Sequence, residues 1–323
     1  MPTAIRLRRT GGPEVLEAAD VDIGGPGERQ LLVDVAASGV NYIDTYQREG
    51  IYPVDLPYVP GLEGAGTVTA VGDEVTGFAV GDRVAWQGSP GGYAQQALVP
   101  ADIAVRVPDG VSDEVAAATL LQGVTAHYLV SSTYPVQRGD TVLVHAAAGG
   151  VGLLLIQLAK ARGARVIGTV STAGKEELAR EAGADEVIRY TKRDFTEAVR
   201  ELTGGEGVAA VFDGVGKSTV DGSLASLRVR GTLALFGAAS GPVPPIDPQR
   251  LNAGGSLFLT RPKTADYTRT REELEWRTGE LLDAVARGSL TVRIGGRYPL
   301  AEARQAHEDL QGRRTTGKLL LIP

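Results

Sequence analysis

Two rhythms of hydrophobic and polar residues divide this chain. Between residues 141 and 260, short runs rich in Val, Ile and Leu alternate with segments whose apolar residues recur at helical spacing. Strands are expected at 141–144, 164–171, 186–189, 208–212, 232–237 and 256–260, and helices at 153–163, 176–181, 193–202 and 220–227. Short strands separated by helices or loops predict a doubly wound α/β layer with a parallel sheet, because parallel neighbours need crossover connections.

The first 120 residues follow a different pattern. Short strand candidates at 5–7, 31–36, 64–71, 82–86 and 93–99 are divided by Gly-Pro and Gly-Asp turns, with few long helices. Val71-Gly72-Asp73-Glu74-Val75 and Val80-Gly81-Asp82-Arg83-Val84 repeat a turn device rather than a domain. A compact, mainly β domain is expected here. Beyond residue 260, a charged helical stretch at 270–287 and strands at 290–297 and 318–322 return the chain to that first domain, which leaves a cleft between two lobes.

The junction at residues 141–152 carries the most chemistry. A β-branched strand runs into Ala146-Ala147-Ala148-Gly149-Gly150-Val151-Gly152, an A-x-x-G-x-x-G spacing that opens an apolar helix. Small residues let the backbone turn tightly, approach a phosphate and pack helix against strand. The first N–H groups of the helix, at Gly150, Val151 and Gly152, and the positive end of its dipole then suit a pyrophosphate. Any tight strand-to-helix turn needs small residues, so the second strand decides more. An NAD-preferring fold places Asp or Glu at its end, about 20 residues past the first glycine. This chain has Ser171 and Thr172 there, followed by Lys175. A carboxylate would repel a 2′-phosphate, whereas hydroxyls and an ammonium bind its oxygens, so NADPH is the expected cofactor.

Composition narrows the class. The 323 residues exceed what one core usually serves, so about two domains are expected. With 33 basic against 39 acidic residues the net charge is −6, which offers no broad surface for nucleic acid and favours a small-molecule partner. The absence of cysteine excludes disulfides, a thiolate nucleophile and a zinc-thiolate site. The three histidines, at 127, 145 and 307, lack close ligand spacing and read as satisfied polar residues or surface groups. Residues 141–159 contain no Asp, Glu, Lys or Arg, yet their central glycines argue for strand, turn and helix rather than a membrane span. Charged residues stand where an export signal would need its apolar core, so a cytoplasmic protein is expected. The apolar strand at 256–260 ends the parallel series and invites edge-to-edge pairing in a homodimer.

Several segments together resemble the zinc-free NADPH:quinone oxidoreductases related to zeta-crystallin, within the medium-chain dehydrogenase/reductase superfamily. They are Asn41-Tyr42-Ile43-Asp44-Thr45-Tyr46, Gly50-Ile51-Tyr52-Pro53, Pro60-Gly61-Leu62-Glu63-Gly64-Ala65-Gly66, Leu121-Gln122-Gly123-Val124-Thr125-Ala126-His127-Tyr128, the glycine turn, and Arg313-Arg314-Thr315-Thr316-Gly317. The resemblance implies a GroES-like catalytic domain at 1–124 and 262–323, a Rossmann domain at 125–261, and a site in the cleft. Where zinc-using relatives carry Gly-His-Glu this chain has Gly61-Leu62-Glu63, and Asn41 stands near the place of their catalytic cysteine. A metal-free site is therefore expected. A buried contact from Glu63 to an arginine is as good a reading as catalysis.

The resemblance assigns Asn41, Tyr46 and Tyr52 to the acceptor beside the nicotinamide, where tyrosines combine a flat apolar face with one polar handle. It places Gln122 and Thr125 near the nicotinamide ribose or carboxamide, and Phe236 and Gly237 along the cofactor. Lys175, Tyr190 and Arg313 match its 2′-phosphate residues. The implied activity is transfer of reducing equivalents from NADPH to a quinone. Two alternatives stay open: reduction of a conjugated double bond in an enoyl or alkenal substrate, and NADPH binding by a structural protein without turnover.

Overall fold

The structure is a computed structural model that describes all residues, Met1–Pro323. The chain divides into two compact units, Met1–Val124 with Thr268–Pro323, and Thr125–Tyr267. The first begins with β1 (Thr3–Arg6), β2 (Glu17–Asp20), β3 (Gln30–Val40), α1 (Tyr42–Glu49), β4 (Glu63–Val71), β5 (Arg83–Gln87), β6 (Gln96–Pro100), β7 (Val105–Arg106) and α2 (Asp113–Tyr128), whose residues from Thr125 onward belong to the second unit. The second contains β8 (Thr141–Val144), α3 (Gly150–Ala161), β9 (Arg165–Val170), α4 (Ala173–Glu181), β10 (Glu186–Arg189) and α5 (Phe195–Leu202). It continues with β11 (Val208–Asp213), α6 (Val220–Ala225), β12 (Leu227–Leu235), α7 (Pro248–Ala253) and β13 (Phe258–Thr260). The chain then returns to the first unit with α8 (Arg271–Ala286), β14 (Ile294–Pro299), α9 (Ala303–Gln311) and β15 (Lys318–Ile322).

In the second unit the strands are ordered β10-β9-β8-β11-β12-β13, and all pairs are parallel. This is the doubly wound order in which the topology reverses between the first strand and the fourth. Helices cover such a sheet on both faces, so its strands read as continuous apolar runs. Leu143, Ile167, Val211 and Leu233 are buried with Val199, Val220 and Leu224 from α5 and α6. Each such side chain contributes about 1.5–3 kcal/mol of transfer free energy.

In the first unit β15, β3, β4, β5 and β7 pair antiparallel in that order, β14 joins β15 in parallel, and β6 pairs with β3. Three helices, α1, α2 and α9, were not anticipated from the sequence pattern. Ala116, Ala117, Ala118, Leu120, Val124 and Ala126 of α2 are all buried, so this helix has no polar face to give a period. Strand β12 begins at Leu227, where helix was expected to persist, because Arg230 takes a φ of 58° and lets the strand bulge before Thr232 resumes the register.

Candidate active site

In the second unit the loops after the parallel strands share one rim, the place where open α/β sheets bind ligands. The glycine turn follows β8. Ala146 has a φ of 49°, and its carbonyl accepts the Gly149 N–H at 2.8 Å. The N–H groups of Gly150, Val151 and Gly152 precede the first α-helical bond, from Leu153 to the Gly149 carbonyl at 2.9 Å. A Cβ on Gly152 would lie 2.4 Å from the Ala146 oxygen and 2.8 Å from that of Ala147, so the turn admits only glycine there.

Ser171 follows β9, and the Thr172 side chain caps α4 by accepting the Lys175 N–H at 3.3 Å. The Lys175 side chain leaves the same first helical turn. Tyr190 follows β10, is 41% exposed, and donates its N–H to the Val170 carbonyl at 3.1 Å, while Thr191 Oγ1 donates to the Ser171 carbonyl at 2.9 Å. Ser171, Thr172, Lys175 and Tyr190 thus share one corner. Glu176 of that turn is occupied by Arg180 at 3.1 Å and Arg189 at 3.0 Å. Phe236 and Gly237 follow β12, where the Phe236 N–H meets the Asp213 carbonyl at 2.9 Å. Thr125 is buried with Oγ1 3.5 Å from Thr264 Oγ1.

In the first unit Asn41 caps α1, and the Asp44 carboxylate accepts its backbone N–H at 2.8 Å. Tyr46, half-buried on α1, meets the exposed Tyr52 edge to face, with ring centroids 5.4 Å apart. Gln122 lies on α2 with Oε1 buried and without a hydrogen-bond partner. Arg313 is exposed in the turn after α9, with a φ of 56° where glycine is the usual residue. Two candidate groups are therefore assembled within their own units: Tyr46 with Tyr52, and the β9–β10 corner.

Residues 27–109 match the family described as Alcohol dehydrogenase GroES-like domain, and residues 150–276 that described as Zinc-binding dehydrogenase. A quinone oxidoreductase from Pseudomonas aeruginosa is 46% identical over the whole of both chains. The chain belongs to the quinone oxidoreductase family of the medium-chain dehydrogenases/reductases. A mycobacterial protein solved in complex with NADPH is 56% identical, with a TM-score of 0.97 over 99% of this chain and 100% of its own. A 2-haloacrylate reductase from Burkholderia is 43% identical over 100% of this chain and 99% of its own.

Against that family background, Glu63 differs from the sequence expectation, because its partner is a lysine and not an arginine. The Lys318 ammonium, the Asn41 amide and the Leu121 N–H all reach its carboxylate. A second buried chain also escaped sequence reasoning. Arg48 Nη1 meets His307 Nδ1 at 3.2 Å, His307 Nε2 meets the Tyr93 hydroxyl at 3.1 Å, and that hydroxyl donates to Asp44 Oδ2 at 2.9 Å. Because a guanidinium only donates, the imidazole carries its proton on Nε2 and passes the direction of the chain on to Asp44. Burial and then Arg48 push His307 down to about 3, which keeps it neutral. His145 is equally committed, to Thr169 at 2.8 Å and Ser223 at 3.0 Å, and His127 lies 3.3 Å from Ser131. All three histidines are buried polar residues with partners, the first of the two readings the sequence left open, and none is a surface group. In sequence Asp44, Tyr93 and His307 are far apart and carry no shared pattern, so only the fold could join them.

Proposed function

We propose that the protein is an NADPH-dependent quinone oxidoreductase that passes reducing equivalents to a small quinone without a metal, in the cleft that the family resemblance implies. The carrying observation is the corner of Ser171, Thr172, Lys175 and Tyr190 beside the glycine turn, which offers hydroxyls and an ammonium where an NAD site would hold a carboxylate. The residues fit the cofactor. Gly152 leaves backbone room for a pyrophosphate, the buried Gln122 Oε1 is an acceptor that the nicotinamide carboxamide would satisfy, and Arg313 adds a planar fork for the 2′-phosphate. Thr125, Phe236 and Gly237 complete this assignment. When bound, NADPH supplies the hydride. The protein's task is then to orient a flat acceptor, and Tyr46 and Tyr52 offer an aromatic pair with two hydroxyls for it. A quinone carbonyl is already a good electron sink, so this role needs no strong acid.

An acceptor panel followed at the reduced-nicotinamide absorption band tests the proposal. Turnover with ortho- or para-quinones is expected to exceed that with short enals and enones. The 2-haloacrylate reductase relative supports the second reading, a double-bond reductase, which the opposite ranking would establish. NADPH binding with no turnover on any acceptor would leave only a structural role.

Tyr46→Phe and Tyr52→Phe keep the aromatic contact and remove one hydroxyl each. Each is expected to lower kcat/KM for quinone by roughly tenfold while leaving NADPH affinity unchanged, as befits loss of about one neutral hydrogen bond. Unchanged kinetics in both single variants and the double variant would remove the hydroxyls from the mechanism.

The donors present support metal independence. Leu62 cannot ligate, and Glu63 is already bound by an ammonium and two N–H groups. Dialysis against a chelator is expected to leave turnover intact, whereas stoichiometric zinc whose removal abolishes it would contradict the mechanism. A homodimer is also part of the proposal. β13 is a sheet edge, with Phe258 61% and Val229 67% exposed near it. Light scattering across a concentration series should give twice the chain mass, and a strict monomer at micromolar concentration would reject it. No helix is long and apolar enough to cross a membrane, and a cytoplasmic setting belongs to the same proposal.

A further inference from the structure

Lys318, the first residue of β15, is 1% exposed, and its ammonium lies between two other buried polar side chains, Asn41 at 3% and Glu63 at 0% exposure. Its Nζ donates to Asn41 Oδ1 at 2.8 Å and also to Glu63 Oε2. Asn41 Nδ2 donates to the same Glu63 oxygen at 2.9 Å. The other Glu63 oxygen accepts the N–H of Leu121, next to Gln122, at 2.7 Å. The space is built for this arrangement, since a Cβ on Gly39 would stand 2.3 Å from Glu63 Oε2 and 2.6 Å from Lys318 Cε.

A buried ion pair is a poor stability device, because desolvation offsets most of the attraction and apolar packing often does as well. Orientation is the better account of its presence. An ammonium can only donate and a carboxylate can only accept, so the Asn41 carboxamide can sit in one sense alone, with Oδ1 toward Lys318 and Nδ2 toward Glu63. A flip would set N–H against the ammonium and oxygen against the carboxylate. The second amide hydrogen is donated to the Gly39 carbonyl at 3.3 Å, the longer of the two bonds from Nδ2. The ammonium on Oδ1 draws charge from the amide and makes that N–H a better donor.

We propose that Lys318 is a positioning residue for acceptor reduction: paired with Glu63, it fixes and polarises the Asn41 carboxamide so that the N–H on the longer bond to Gly39 is the one exchanged for a bond to the acceptor carbonyl. This rests on the assignment of Asn41 to the acceptor site made above. The test is a double-mutant cycle of Asn41→Ala and Lys318→Met, with quinone kcat and KM measured beside NADPH affinity by fluorescence titration. Lys318→Met is expected to lower kcat roughly tenfold or more, as loss of an orienting partner does elsewhere, with NADPH affinity held. Adding Asn41→Ala should then cost little further, because the lysine acts through the asparagine. If Lys318→Met does not fold, Lys318→Met with Glu63→Gln removes both charges and enters the same cycle. Losses that multiply, or a wild-type kcat in the lysine variant beside a strong Asn41→Ala effect, would overturn the clamp alone. An Asn41→Ala variant with wild-type turnover would overturn the assignment of Asn41 itself, and the clamp with it.

Discussion

Lys175→Ala is expected to weaken NADPH binding by roughly ten- to a hundredfold and to leave NADH binding almost unchanged. A hydrogen bond to a charged group contributes about 1.5–3 kcal/mol, and partial solvent exposure of Lys175 places the loss toward the lower end of that range. The fold explains why one side chain should matter so much. Thr172 caps α4 and thereby points the first helical turn, with Lys175 on it, at the rim beyond β9, while the nearby acid Glu176 is held by Arg180 and Arg189. The preference should therefore collapse toward parity in the variant and weaken with salt in the wild type. Dissociation constants for both cofactors at fixed ionic strength check this, and equal wild-type affinity would contradict it.

The second large effect concerns stability and pH. Asp44 is fully buried, and burial pushes its carboxyl up from 3.8 to about 6, against the opposing pull of the Asn41 N–H, the Tyr93 hydroxyl and the Lys318 ammonium. Glu63 adds to the upward push. A folded-state value above the unfolded one means that the native protein holds the extra proton between about pH 4 and pH 6. The associated stability is complete at the acid end of that window and is lost as the pH rises through about 6. At about 1.4 kcal/mol per unit, the loss is on the order of 3 kcal/mol.

Asp44→Asn isolates this effect. An asparagine oxygen in place of Oδ2 can accept from both Asn41 and Tyr93, and its amide would occupy the position of Oδ1, which has no partner in the native protein. The variant cannot titrate there. Its stability relative to wild type should rise between pH 4 and pH 6 and then level off, measured by denaturant unfolding at each pH. A difference that is flat across that window, or that falls, would show that Asp44 is not the buried acid described.

How far the sequence disclosed this protein depended on whether a feature was local. The parallel layer was legible because each strand and its glycine or polar boundary lie within a few residues, and the strand at 186–189 was bounded correctly, as was the one at 318–322 in the first unit. The glycine turn was legible for the same reason, since Gly152 is demanded by carbonyls only five and six residues away. Helix α2 was not, because burial on every side removes the amphipathic period that marks a helix. The clamp on Asn41 was hidden for a different reason. Its lysine arrives on the last strand, 277 residues later, through the antiparallel pairing of β15 with β3. A charged residue at the head of Lys318-Leu319-Leu320-Leu321 was the one visible sign, and in sequence it looks like an ordinary strand boundary.

The proposed reaction is hydride transfer from NADPH to a quinone. It is tested most directly by an anaerobic single turnover, in which the protein loaded with NADPH is mixed with quinone and both absorption bands are followed. Decay of one reduced nicotinamide for each quinone reduced, slowed when the transferring position of the cofactor carries deuterium, is the predicted result. Reduced nicotinamide that stays bound and unoxidised while quinone persists, or quinone loss that is indifferent to the deuterium, would contradict it.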